Sequence, residues 1–235
     1  MSEWRDLGMH GVVAVLPMSV ESVGRWMSEP DLLDFIGKCA GNAYKGQAFE
    51  TIGEPDEANI RRALNCIRDG HHSVLEHVNM TVLAVVDRGV SHALVRHRHT
   101  AFTQSSTIFE RSTSSINVIA VPTEDPYFPG SNNPACTPMS DSELDSYKYA
   151  AVEYMSMLRE GVPPSRARDT LPTVLATRLV MSTHIGEWVY IAKRRTGKGD
   201  TVRMHCFAHM LDKLLREHYP RIMEAFDSYY AKRPL

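Results

Sequence analysis

The chain has 235 residues, of which 43% are hydrophobic and 23% charged, with a formal net charge of -2. This is the balance of an ordinary globular protein, and near-neutrality excludes a general nucleic-acid binder, so any basic site must be local. No apolar run approaches the roughly 20 residues of a membrane-spanning helix. The N-terminal MSEWRDLGMH lacks the basic-then-apolar order of a secretory leader, and Cys39, Cys66, Cys136 and Cys206 form no CxxC pair, so they read as reduced thiols of a cytoplasmic protein.

In chain order, residues 11–18 (GVVAVLPM) read as a strand, and Ser19 as the cap of a helix carrying Val20, Val23 and Trp26. Pro30 suits the first turn of a second helix with Leu32, Leu33, Phe35 and Ile36 inward. The polar, glycine-containing stretch 45–56 reads as loop. Ile60, Ala63, Leu64 and Ile67 keep one helical face over 57–68, with Gly70 as its C-terminal cap. Residues 78–86 (VNMTVLAVV) predict a buried strand, Asp87-Arg88-Gly89 a turn, 90–95 a short helix and 99–115 a loop. A strand over 116–121 is closed by Pro122, and the Pro-, Asn- and Gly-rich stretch 122–138 is the most loop-like of the chain.

The longest predicted helix spans 140–160, striped by Leu144, Tyr147, Ala151, Tyr154, Met155 and Leu158, with Ser140 and Glu143 as a capping box. Pro163-Pro164 starts a short helix ending near Thr170, 171–183 reads as extended, and 186–194 as helical. Thr196 to Asp200 interrupts; Asp200 or Thr201 caps a helix through Glu217, and 220–230 forms the last one. With no repeat and no linker, residues 1–235 read as one mixed α and β domain.

Arg96-His97-Arg98 follows an apolar segment and precedes a loop rich in Thr, Ser and Gln. Guanidinium forks suit phosphate oxygens, with hydroxyls and loop amides completing the shell; the alternative is a solvated basic turn. Arg166-Ala167-Arg168 and Lys193-Arg194-Arg195 add further anion ligands, favouring a phosphorylated small molecule. His71, His72, Glu76 and His77 invite a metal reading, but the HxxxEH spacing matches neither HExxH nor HxxEH, and hydrogen-bonded core side chains are the simpler reading. GKGD at 197–200 lacks the GxxxxGK[ST] spacing of a phosphate loop. No GxSxG and no activated cysteine is present, so any chemistry falls to a bound cofactor.

Arg96-His97-Arg98, seven residues, then Ser106 resembles the RHR-x7-S signature of the flavin-dependent thymidylate synthases. The block from His71 to His77, the run from Gly161-Val162-Pro163 to Arg168, Leu171-Pro172, Thr177-Arg178 and Glu224-Ala225-Phe226 are similar to further blocks of that family. The order agrees from about residue 30 to 230. The resemblance implies the family's α+β fold, a mixed β-sheet flanked by helices, in a homotetramer whose flavin sites draw on several subunits. It implies FAD reduced by NADPH and a one-carbon unit from methylenetetrahydrofolate placed on C5 of a pyrimidine nucleotide, with no enzyme nucleophile, no metal, no nucleic acid and no membrane. By position, His71, Ser73, Glu76, Arg96, His97 and Arg98 would contact flavin. Arg96, Gln104, Ser105, Ser106, Arg111, Arg168 and Arg195 would hold the nucleotide, with Arg195 as the catalytic arginine over the pyrimidine.

The chain departs from the family pattern at Ala93 (for Gln), Thr103-Gln104 (for Asn-Glu), His184 and Tyr190 (for Asn) and Gly199 (for His), and about three extra residues precede Arg111. These changes fall on nucleotide and flavin contacts. They widen the expected substrate from dUMP to UMP for a modified nucleoside, to dCMP, or to hydroxymethylation. A metal-dependent hydrolase and a non-catalytic nucleotide-binding module are the expectations from other classes.

Overall fold

The computed structural model describes residues 8–45, 55–108 and 114–234. The first part of the chain forms β1 (Gly8–His10), β2 (Val13–Leu16), β3 (Ser19–Val23), α1 (Glu29–Lys45), α2 (Glu57–Asp69), β4 (Asn79–Asp87), α3 (Arg88–Leu94), β5 (Ala101–Gln104) and β6 (Ile116–Ile119). Then come α4 (Asp141–Arg159), α5 (Pro164–Ala167), β7 (Ala176–His184), α6 (Ile185–Arg194), α7 (Val202–His218) and α8 (Pro220–Lys232). Short 3₁₀ turns lie at His72–Leu75, Pro134–Cys136 and Arg168–Thr170.

Two sheets result. The order β3-β4-β7-β5 is antiparallel throughout, and β1-β2-β6 joins β1 antiparallel and β6 parallel to β2. The spine is the β4–β7 pair, in register from Asn79 opposite His184 to Asp87 opposite Ala176. Met80, Val82, Ala84 and Val86 alternate inward along β4, as Thr177, Leu179, Met181 and Thr183 do along β7. Helices cover the inward faces: Trp188 of α6 and Phe207 of α7 are fully buried, and the Trp188 indole donates to the Met80 carbonyl at 3.2 Å.

Local chemistry fixes several helix ends. Gly70 ends α2 as expected, at φ 89°, a left-handed conformation that favours glycine, and Asp56, read from the sequence as loop, caps its start by accepting from the Ala58 amide. The Ser140–Glu143 capping box opens α4, and Thr201 caps α7.

Four expectations are corrected. Residues 19–23 form a strand, because pairing along Thr81 to Val85 of β4 outweighs the weak helical pattern of an edge segment; Trp26 then donates to the Thr81 carbonyl. Asp87 makes no turn: its carboxylate accepts from the Val90 amide at 2.7 Å and caps a helix that already includes Arg88 and Gly89. Residues 101–104 are an edge strand on β7 rather than loop, an assignment hidden because Thr103 and Gln104 lack an apolar pattern. The extended segment after Leu171 becomes a strand only at Ala176. Most of the loop expected at 45–56 lies outside the described residues.

Candidate functional site

The Arg96–Arg98 turn leaves the C-terminus of α3, where the His97 amide donates to the Leu94 carbonyl at 3.0 Å. Thr183 of β7 holds the next carbonyl, that of His99, at 2.7 Å. The turn is thereby fixed against the spine of the large sheet. Arg96 and Arg98 are exposed, whereas His97 is turned inward and only 8% exposed.

His97 is the hub of the arrangement. Arg195 Nε, which can only donate, points at His97 Nε2 at 3.1 Å, so Nε2 accepts and the ring proton sits on Nδ1. That nitrogen faces Glu187 Oε1 at 3.2 Å. Arg195 in turn donates through NH2 to the Ala93 carbonyl at 2.8 Å and through NH1 to Asp200 Oδ1 at 3.2 Å. Arg96, His97, Arg98, His99, Glu187, Tyr190, Arg194 and Arg195 together line a cleft of ≈ 530 Å³. Its lining carries four arginines against one carboxylate, and that carboxylate is already engaged by His97. Such a surface suits an anionic or carbonyl-rich ligand.

β5 carries the chain from this cleft to a second pocket. Gln104 donates to the hydroxyls of Ser91 and Thr177, both at 3.1 Å. Ser105 Oγ accepts from the Arg178 amide at 3.0 Å, and its own amide donates to the Arg178 carbonyl at 2.9 Å. The amide of Gln104 and the hydroxyl of Ser105 thus tie the end of β5 to β7. Ser106 Oγ accepts from the Ile108 amide at 3.2 Å. Ser105, Ser106 and Thr107 join Ser115, Asn117, Tyr154 and Thr177 around a pocket of ≈ 220 Å³. A neighbouring hollow of ≈ 240 Å³ shares Thr107, Leu171 and Leu175 with it and adds Arg88, Arg168 and Asp169.

The expected residues therefore fall into two groups within one chain. Arg96, His97, Arg98 and Arg195 share the cleft, while Gln104, Ser105, Ser106 and Arg168 gather at the other end of β5. Arg111 lies outside the described residues. His71, Ser73 and Glu76 sit exposed on and beside the 3₁₀ turn between α2 and β4. Glu76 beside that turn and Glu187 and His99 of the cleft all lie near enough to His184 for their charges to act on it.

Sequence reasoning missed Glu187, Asp200, Thr177 and Arg88. Helical spacing puts Glu187 in the first turn of α6, where it reads as a dipole-complementing acid, and only the fold brings His97 to it across 90 positions.

The histidine-rich block gathers no metal site: among the described residues no group of three or more His, Cys, Asp or Glu side chains is placed to hold an ion. His72 instead donates from Nε2 to the Ile67 carbonyl at 3.1 Å and packs on Phe226 and Tyr229. Burial pushes its basicity down. His184 is also held below the ordinary imidazole value of 6.5, first by burial and then by the charge of His99, against the pull of Glu76 and Glu187. Its neutral Nδ1 accepts the Glu187 amide at 3.2 Å and caps α6. The unfolded chain therefore binds protons more readily than the folded one just below that value. The associated stability is fully present above about pH 6.5 and is lost as pH falls through the depressed folded values. His184→Asn keeps a capping oxygen and removes the titration, so its melting temperature should fall less than that of the wild type on acidification; equal acid profiles would show that His184 contributes nothing.

Comparisons with known proteins identify the family. The thymidylate synthase complementing protein family matches residues 30–221. A flavin-dependent thymidylate synthase of Corynebacterium diphtheriae is 25% identical over 213 residues, 84% of this chain and 79% of the relative. Another, from Saccharolobus solfataricus, is 32% identical over 125 residues, 52% of this chain and 44% of the relative. In fold, the chain is similar to the UMP/dUMP methylase PolB from Streptomyces cacaoi, solved with 5-Br dUMP. That likeness has a TM-score of 0.72 at 19% identity, over 92% of this chain and 97% of the other. With the match running from the start of α1 into α8 and taking in the arginine cleft and the serine pocket, this chain belongs to the thymidylate synthase complementing protein family, that of the flavin-dependent thymidylate synthases, as a divergent member.

Proposed function

We propose that the protein methylates C5 of a pyrimidine nucleoside monophosphate, dUMP or UMP, with FAD as cofactor, NADPH as reductant and methylenetetrahydrofolate as carbon donor. The observation that carries this reading is the arginine cleft organised around buried His97. Its donors are cationic, and Arg195 among them is held by His97, the Ala93 carbonyl and Asp200, so they fit the carbonyls and phosphates of a flavin and a uracil-type base. A bound flavin would supply the hydride that completes the methyl group.

The chain's own residues orient and polarise. Arg195 has five N–H groups, of which His97, Ala93 and Asp200 occupy three, leaving two for a ligand. A guanidinium fixed in this way meets negative charge developing on a pyrimidine carbonyl without having to reorganise. Arg96 and Arg98, exposed on either side of His97, would hold anionic groups of the flavin. Arg168 and Arg88, with the Ser105–Thr107 hydroxyls, fit a nucleotide phosphate and sugar.

The cleft and the pocket stand at opposite ends of β5. A homotetramer that brings one copy's pocket to another's cleft would complete the site. UMP is the second reading, favoured by the hydroxyl and amide lining of the ≈ 220 Å³ pocket, which offers partners to a ribose 2′-hydroxyl. Tritium release from C5-labelled dUMP, UMP and dCMP, run with NADPH and methylenetetrahydrofolate, tests both readings. Release from dUMP or UMP supports the activity and ranks the two substrates; inactivity on all three overturns it and leaves a binding module.

A further inference from the structure

His205 lies fully inside the protein, in the first half of α7, and has no part in the chemistry above. Both of its ring nitrogens face acceptors. Nδ1 sits 2.9 Å from Asp125 Oδ2 and 3.1 Å from Asp125 Oδ1, and Nε2 sits 2.9 Å from the Gly197 carbonyl oxygen. The ring therefore bridges a carboxyl group on one loop and a backbone carbonyl on another. Asp125 is itself held in place by the Tyr127 amide, which donates to its Oδ1 at 3.1 Å.

The pair is sealed from water. Asp125 is 2% exposed and His205 3%, with the rings of Tyr127 and Phe128 packed on the imidazole. Burial, and then the charge of Asp212, keep Tyr127 a neutral phenol.

The Gly197 carbonyl carries the consequence. Besides His205 it accepts the Asp200 amide at 3.0 Å, closing the turn from Gly197 to Asp200. Asp200, held by that turn, is the residue whose carboxylate binds Arg195 NH1. Asp125, His205, the Gly197 carbonyl, Asp200 and Arg195 thus form one continuous chain of hydrogen bonds. It runs from the stretch 122–138 to the cleft.

We infer that His205, bridging Asp125 and the Gly197 carbonyl, is a positioning residue that fixes the 197–200 turn and through Asp200 sets the direction of Arg195. The part concerning Arg195 rests on the proposed pyrimidine-nucleotide reading; the strut itself does not. A buried polar pair with its hydrogen bonds satisfied specifies geometry, and the geometry specified here is that of a turn rich in glycine (Gly197, Gly199) that has little of its own.

Two variants of the whole protein decide it. Asp125→Asn can still donate an amide hydrogen to Nδ1 while Nε2 faces the Gly197 carbonyl, so it should keep hydrogen-exchange protection of the Asp200 amide. In His205→Gln, that protection should fall and turnover should drop about tenfold, a change of roughly 1.4 kcal/mol, with flavin content retained. Unchanged Asp200 exchange in His205→Gln, exchange protection lost in Asp125→Asn, or faster exchange with unchanged turnover overturns the proposal. Should Arg195→Ala also leave KM and turnover unchanged, the nucleotide reading has failed, and the exchange measurement still judges the strut.

Discussion

Arg195→Ala is expected to lower turnover by about a hundredfold to a thousandfold, the typical loss when one preorganised donor at a developing oxyanion is removed. Flavin content should change little, since Arg96 and Arg98 remain to hold anionic groups. The size of the effect follows from how the side chain is held. Three fixed partners, His97, the Ala93 carbonyl and Asp200, set the guanidinium before any ligand arrives. Arg195→Lys should recover little, because one ammonium on a flexible stem cannot satisfy three divergent partners and still face a ligand. Tritium release gives the turnover and visible absorbance gives the bound flavin. Turnover within a factor of about three of wild type would place Arg195 outside the chemistry.

Gly37→Ala should be the most damaging single-methyl change to the fold, costing about 3 kcal/mol or more, the upper part of the overpacking range. Gly37 lies in α1 where that helix crosses α2, and a Cβ there would run into the backbone of Asn59. Backbone cannot rotate aside as a side chain can, so the helices would have to separate. The separation would also pull the Gly37 carbonyl from Arg62, which donates to it at 3.0 Å, and part Ile36 and Ile60 from the shared core. Thermal melting should show a drop of many degrees or a loss of soluble protein. Gly199→Ala is the matched control: a Cβ at Gly199 meets nothing within 4 Å, so its stability should stay within about 0.5 kcal/mol of wild type. Equal melting temperatures for the two variants would show that α1 and α2 can separate at no cost.

Most helices were readable because they announce themselves locally. Ser140 and Glu143 of α4, Gly70 of α2 and Pro220 of α8 are chemical start and stop signals that need no knowledge of the fold. The edge strands were not. β3 has two half-buried and three exposed residues, and β5 alternates half-buried with exposed, so neither carries the strong alternation of β4. What makes each a strand is a ladder to a partner more than fifty positions away. The same contrast runs through the histidines. In the linear sequence, His71, His72 and His77 draw attention by clustering, yet His72 is spent on a helix-end carbonyl and two aromatic rings. His205, isolated in the sequence, turns out to join two distant loops.

The sequence by itself determined the family, several helix ends and the supply of guanidinium groups, since these depend on residue type and short spacing. The tertiary structure alone decided which charges meet. Glu187 reaches His97, Asp200 holds Arg195 and Asp125 locks His205 because β4 and β7 zip together and draw α3, α6 and the loops at their ends into contact. Hydrogen bonds act over about 3 Å, so a partner ninety residues away is invisible until the backbone has closed that distance.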